Sequence, residues 1–121
     1  MKLATGVDLI EIARIEVVLS RQGKAWLERI FTPGELEYCG KRAESLAGRW
    51  AAKEAVAKAL GSGIGDVSWQ EIEILGDEQK APKLTLHGNA EKKARELGLT
   101  NWSVSISHSQ SHSVALVVAI G

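Results

Sequence analysis

The sequence has one cysteine, no net charge and no long apolar run, and each shortage excludes a class of protein. Cys39 alone cannot form an internal disulfide, which favours a reducing compartment, so we predict a cytoplasmic protein. Fifteen basic and fifteen acidic residues argue against a nucleic-acid-binding protein with a broad basic field, but are compatible with a local basic patch. No apolar segment reaches the length of a membrane span, and the N-terminus lacks a signal-peptide pattern. With 121 residues and no repeat or linker, we expect one domain over 1–121.

The spacing of apolar residues predicts an α+β fold, in which a largely antiparallel β-sheet is packed by helices. Strands are predicted at 2–10, 68–75, 82–87, 101–107 and 113–120. Helices are predicted at 11–22, 33–40, 43–60 and 88–97, and residues 24–31 form a short apolar segment. Thr32-Pro33-Gly34-Glu35 has the pattern of a capping box, so capping is the simplest role for Glu35. The glycine-rich stretch 61–65 follows a helix, which excludes a P-loop.

Asp8 is an acidic residue within the first predicted strand, on the face opposite Val7 and Leu9. A buried carboxylate needs a partner or a cation, and Asp is uncommon in strands. The simpler alternative is an edge strand with Asp8 in water. Gly6, in the same strand, indicates a close approach by another backbone or by a ligand.

The stretch from Arg49 to Gly61 predicts a strong helix that carries several charges among alanines. Glu54 and Lys58 are four residues apart and therefore lie on one face. They could be an ordinary surface ion pair. Alternatively, Glu54 is a metal ligand and the cations Arg49, Lys53 and Lys58 are arranged for phosphates. Leu46, Trp50, Ala57 and Leu60 are the predicted core face of this helix.

Two further polar features stand out. Arg14, Arg21 and Lys24 recur along one side of the chain as a basic stripe, which is either a solvated face or a docking surface for an acidic helix. Ser107-His108-Ser109 occupies a predicted hairpin tip. A serine hydrolase is disfavoured because no Gly-x-Ser-x-Gly motif is present, and His108 with His112 lacks a familiar zinc-ligand spacing. Asp8 and Glu54, brought together by the core, would suit Mg²⁺ in a phosphate-handling enzyme.

Four segments, in register across nearly the whole chain, resemble the motifs of holo-[acyl-carrier-protein] synthases. They are Gly6-Val7-Asp8-Leu9-Ile10-Glu11-Ile12 with Arg14, Phe31-Thr32-Pro33-Gly34-Glu35, Arg49 to Ala55 with Lys58-Ala59-Leu60-Gly61, and Ser105-Ile106-Ser107-His108. Trp50 stands where the motif usually has Phe, and Lys24 where it often has Arg.

The resemblance implies a 4′-phosphopantetheinyl transferase fold and transfer of phosphopantetheine from coenzyme A to a serine of apo-acyl carrier protein. Adenosine 3′,5′-bisphosphate would be released, and the product would serve fatty acid biosynthesis. By position, Asp8 and Glu54 match the Mg²⁺ ligands, and Lys58 acts with them in catalysis. Arg49, Lys58 and His108 match coenzyme A contacts, and Arg14, Arg21 and Lys24 match the carrier-docking surface. Members of this size are usually homotrimers with active sites between subunits.

Two other functions are compatible with the same residues. One is a non-catalytic module that docks acidic helices through the basic stripe. The other is a Mg²⁺-dependent phosphohydrolase that needs no acceptor protein. For the transferase, the group that accepts the serine proton is either Glu54 or a metal-bound water, and the sequence leaves both open.

Overall fold

A computed structural model describes residues 1–62 and 65–121, so Gly63 and Ile64 of the glycine-rich stretch lie outside the described residues. The strands are β1 (Leu3–Glu11), β2 (Ile72–Gly76), β3 (Pro82–Leu86), β4 (Asn101–His108) and β5 (His112–Ile120). The helices are α1 (Ile12–Arg21), α2 (Lys24–Ile30), α3 (Pro33–Cys39), α4 (Ala43–Ala59) and α5 (Gly88–Leu97), with a short 3-10 helix at Trp69–Glu71. The predicted helices and strands are present, and the apolar segment 24–31 is the short helix α2. The strand predicted from residue 68 begins only at Ile72, because Trp69–Glu71 form a 3-10 turn with a capping box from Ser68 to Glu71.

The described strands form two antiparallel sheets, one of three strands in the order β1-β5-β4 and one of the pair β2-β3. The α+β class with antiparallel pairing is therefore confirmed. Where the prediction had one sheet, the structure has two. Among the described residues, no helix is long and apolar enough to cross a membrane.

Strand β1 lies at the edge of its sheet and turns its even-numbered residues toward α4. Ile10 is buried in the core, while Val7 and Leu9 are 54% and 61% exposed on the opposite face. Gly6 allows β1 to lie against α4 in this orientation. A Cβ atom added at Gly6 would lie 1.8 Å from the carbonyl oxygen of Ala55 in α4. The expected close backbone approach at Gly6 is thus confirmed, and it places Asp8 on the helix-facing side.

Helix α4 is buried on almost every side, because small alanines let β1, β5 and α1 approach its backbone closely. Leu46, Ala57 and Leu60 belong to the core as predicted, whereas Trp50 is only half-buried. Gly61, at φ 71°, ends the helix in a left-handed conformation. Four polar side chains of α4 keep exposed surface: Glu44 and Ser45 in its first turn, and Glu54 and Lys58 toward its end.

A fully buried ion pair joins α3 to α4. Lys53 Nζ lies 2.7 Å from Glu35 Oε1, and both side chains have no exposed surface. Lys53 also donates to the carbonyl oxygens of Trp69 and Ile72. Glu35 completes the capping box of α3, as predicted, and its second oxygen accepts from the backbone N–H of Ile74.

The hypothesis that Lys53 serves a phosphate is therefore wrong: its three donors are directed at protein acceptors inside the core. Burial lowers the pKa of Lys53, and the carboxylate of Glu35 opposes that shift. The pair is a structural link between α3, α4 and β2.

We predict that Gly6→Ala destabilises the fold by about 2–4 kcal/mol, because the new methyl group would overlap the Ala55 carbonyl. Denaturant unfolding measures the loss. Glu37→Ala, at an exposed position of helix α3, is the control and should change the free energy of unfolding by less than about 0.5 kcal/mol. Equal stability of the two variants would show that β1 and α4 tolerate separation at this point.

Candidate active site

Asp8 faces α4 from β1, with its side chain 21% exposed. Its strand neighbour is Ala115 of β5, so no polar residue faces it across the sheet. The edge-strand alternative is correct for the position of β1, but Asp8 is not in open water. Its carboxylate lies beside Lys58 of α4.

Lys58 reaches across from α4 and pairs with Asp8. Its Nζ lies 3.0 Å from Asp8 Oδ1 and donates to the carbonyl oxygen of Val7 at 2.9 Å. Among the described residues, this is the only ion pair of Lys58, so the surface pair with Glu54 that the spacing allowed is not formed.

Glu54 lies one turn before Lys58 on α4 and is half-buried. Burial raises the pKa of the Glu54 carboxyl, and the negative charge of Asp8 raises it further. Lys58 and Arg14 oppose the shift with their positive charges. The structure therefore brings Asp8, Glu54 and Lys58 together, with two carboxylates that repel each other.

A divalent cation fits this pair of carboxylates. Among the described residues, no three Asp, Glu, His or Cys side chains form a complete metal cage. Mg²⁺ is usually held by one or two carboxylates, with water and substrate phosphates supplying the other ligands. A site of two acids beside a lysine therefore suits Mg²⁺ with a phosphate ligand, and it does not suit zinc.

Arg14 borders the same site. Its guanidinium lies 5.2 Å from the ring centroid of Trp50, which precedes Glu54 by one turn. Trp50 in turn makes edge-to-face contacts with Trp26 and Trp69 at centroid distances of 5.4 and 6.1 Å. The members of this three-tryptophan cluster are distant in sequence, so no sequence pattern predicts it.

The rest of the basic stripe is divided between two helices. Arg21 is the last residue of α1, and Gly23, at φ 51°, turns the chain before Lys24 opens α2. Arg14 and Arg21 are two turns apart on α1 and share a face. Lys24 Nζ lies 3.5 Å from Glu28 Oε1, and the two side chains form an exposed ion pair. Val17, between the two arginines, is 47% exposed.

Arg49 lies apart from Asp8. It is 8% exposed, and its guanidinium stacks on the ring of Tyr38 at 4.5 Å from the centroid. Its Nε has no hydrogen-bond partner among the described residues, and no carboxylate pairs with it there. An unpaired buried cation of this kind is unusual and suits an anionic ligand.

His108 ends β4 and is exposed. From the register, it lies two strands and two residues from Asp8, or about 12 Å between Cα atoms. It lines an open cavity of about 630 Å³ between the β4–β5 turn and the start of α4, together with Ile12, Glu16, Ala43, Glu44, Ser109 and Gln110. The predicted site residues thus fall into four places within one chain. They are the Asp8–Glu54–Lys58 cluster with Arg14, the junction of α1 and α2 with Arg21 and Lys24, the Arg49 side chain on Tyr38, and His108.

Comparison with known proteins identifies the family. Residues 4–117 match the model of the 4′-phosphopantetheinyl transferase superfamily. A holo-[acyl-carrier-protein] synthase of Herpetosiphon aurantiacus is 52% identical, over 98% of this chain and 99% of the relative. A relative of the same name from Gloeobacter violaceus is 45% identical, over 96% and 91% of the two chains.

Solved structures agree. The Helicobacter pylori holo-[acyl-carrier-protein] synthase in complex with coenzyme A superposes with a TM-score of 0.88 at 37% identity, over 96% of this chain and 99% of that one. The Neisseria meningitidis synthase gives a TM-score of 0.88 at 35% identity, over 98% of both chains. The chain therefore belongs to the 4′-phosphopantetheinyl transferase superfamily and, within it, to the holo-[acyl-carrier-protein] synthases.

Proposed function

We propose that this protein transfers the 4′-phosphopantetheine group of coenzyme A to a serine of apo-acyl carrier protein. The reaction depends on Mg²⁺, releases adenosine 3′,5′-bisphosphate and supports fatty acid biosynthesis in the cytoplasm. The observation that carries the proposal is the convergence of Asp8, Glu54 and Lys58 in a member of this family. The coenzyme A bound to the Helicobacter pylori relative supports the same substrate here.

Asp8 and Glu54 would hold the metal, and their mutual repulsion would be relieved by it. When bound, Mg²⁺ neutralises the diphosphate of coenzyme A and makes its β-phosphorus easier to attack. Lys58 lies on the same helical face and would stabilise the charge that develops on the phosphate oxygens. The half-buried position of this cluster excludes part of the bulk water, which strengthens these charge interactions.

Arg49 and His108 would bind other anionic parts of coenzyme A. The unpaired guanidinium of Arg49 and the open cavity beside His108 support this assignment. The two residues are separated from Asp8 within one chain. That separation favours an active site completed by a second subunit.

We infer that the protein is a homotrimer in which residues 1–121 of each chain act as one domain. The outer face of the three-stranded sheet supports association, because it exposes the apolar side chains Leu3, Val7, Leu9, Leu116 and Ile120. Cross-strand pairs such as Val7 with Leu116 make this face continuous. A contiguous exposed apolar patch marks an interaction surface in a water-soluble domain. Light scattering of the purified protein should give three times the mass of one chain, and a monomer mass would overturn this inference.

The carrier protein would dock on Arg14, Arg21 and Lys24. Both arginines are exposed, and Val17 between them offers an apolar contact. Because Arg14 also borders Glu54, a carrier bound there lies next to the proposed metal site. Local complementarity of this kind is compatible with a formal net charge of zero.

We predict that Asp8→Ala and Glu54→Ala each lower transfer at least a hundredfold, because each removes a proposed metal ligand. Mass spectrometry of apo-carrier protein, incubated with coenzyme A and Mg²⁺, measures the added phosphopantetheine. Glu37→Ala, an exposed acid on helix α3, is the matched control and should transfer normally. Circular dichroism should show that all three variants remain folded.

The same assay separates the alternatives. Transfer by the parent protein supports the transferase, and its absence with a competent carrier would refute it. Carrier binding without transfer, unaffected by Glu54→Gln, would indicate a docking module. Phosphate release from coenzyme A without an acceptor would indicate a phosphohydrolase.

We predict that Arg14→Ala raises the KM for the carrier several-fold and flattens its dependence on salt, because a steering charge is lost. Steady-state kinetics at two ionic strengths measures both effects. Arg29→Ala, an exposed arginine on α2 outside the proposed docking surface, should leave KM unchanged. An unchanged KM for Arg14→Ala would reject the docking surface.

A further inference from the structure

The contact between Lys58 and Asp8 has a consequence for metal binding that depends on the proposed function. We propose that Lys58 and the divalent cation compete for Asp8, so that metal binding moves the Lys58 ammonium from this carboxylate to a substrate phosphate. Lys58 would then serve two anions in turn, holding Asp8 first and the phosphate afterwards. The proposal rests on the geometry of Asp8, Glu54 and Lys58.

Lys58 has the open surroundings that such an exchange requires. Its side chain is 55% exposed, in contrast to the 21% of Asp8. The ammonium group has three donors, of which one serves Asp8 Oδ1 and another the carbonyl oxygen of Val7. It can therefore release Asp8 while keeping its contact with Val7. The buried Lys53 offers the contrast, since all of its contacts are fixed inside the core.

The excess of negative charge at Asp8 and Glu54 favours the exchange of the Lys58 ammonium for a divalent cation. Asp8 and Glu54 carry two negative charges, and Lys58 provides one positive charge at ion-pair distance. Among the described residues, Glu54 has no ion-pair partner of its own. Asp8 and Glu54 would hold a divalent cation, and its charge would offset both carboxylates and repel the Lys58 ammonium. The displaced ammonium would then pair with a substrate phosphate.

A purely supporting role for Lys58 makes the opposite prediction. If Lys58 oriented Asp8 for the metal, its removal would weaken metal binding, as the loss of a partner to a ligand usually does. If Lys58 competes with the metal, its removal strengthens metal binding. The sign of the change in affinity therefore distinguishes the two roles.

The experiment titrates the protein with Mn²⁺ alone, followed by electron paramagnetic resonance. Mn²⁺ prefers the same oxygen ligands as Mg²⁺ and has a direct signal. Lys58→Gln keeps a donor for the Val7 carbonyl and removes the charge. We expect it to bind Mn²⁺ about two- to fivefold more tightly, the range expected for the loss of one exposed ion pair.

Two control variants and one further measurement accompany Lys58→Gln. Lys58→Arg retains the charge and should restore the parent affinity for Mn²⁺. Lys92→Gln removes an exposed lysine on helix α5, away from the site, and should bind Mn²⁺ as the parent does. With Mn²⁺ present, Lys58→Gln should bind coenzyme A about tenfold more weakly, because the second partner of Lys58 is also lost.

Unchanged or weaker Mn²⁺ binding by Lys58→Gln would overturn the exchange. In that case, transfer by the parent protein still supports the proposed function, so the two failures are distinguishable. A parent protein that neither binds Mn²⁺ nor transfers phosphopantetheine would overturn both.

Discussion

The close contact between Gly6 of β1 and Ala55 of α4 is the constraint on which the site depends. A strand and a helix approach this closely only where neither side chain intervenes, so glycine and alanine are needed at the contact. The residues next to this contact, Asp8 and Glu54, then lie opposite one another. One packing requirement therefore positions both proposed metal ligands and brings Lys58 within reach of Asp8.

Two lysines on α4 show how burial separates a structural charge from one proposed to serve a ligand. Lys53 is fully buried, has a carboxylate partner and uses the remaining donors on backbone oxygens, so nothing is left for a ligand. Asp8 and Glu54 are only partly compensated, because Lys58 pairs with Asp8 and Glu54 has no ion-pair partner among the described residues. Two half-buried carboxylates whose charge is incompletely neutralised lower the stability of the fold. The binding of a cation with a phosphate would offset this loss of stability.

Features that depend on a short stretch of neighbouring residues could be predicted from the sequence. The capping box at Thr32, the glycine contact at Gly6 and the unusual acid Asp8 each have a local signature. Partners distant in sequence could not be predicted. The Lys53–Glu35 pair is one such case, since Glu35 already had an adequate role as a cap. The orientation of β1 could not be predicted either. An alternating pattern does not show which side of a strand faces the core, and in the structure Val7 and Leu9 face outward.

The proposed function requires that Asp8 and Glu54 together hold a divalent cation. The most direct test is a crystal of the protein grown with Mn²⁺ and coenzyme A, with anomalous scattering used to locate the metal. We expect one manganese peak within about 2.3 Å of a carboxylate oxygen from each residue, with a phosphate oxygen as a further ligand. A peak elsewhere, or a fully bound coenzyme A with no metal at Asp8 and Glu54, would contradict it.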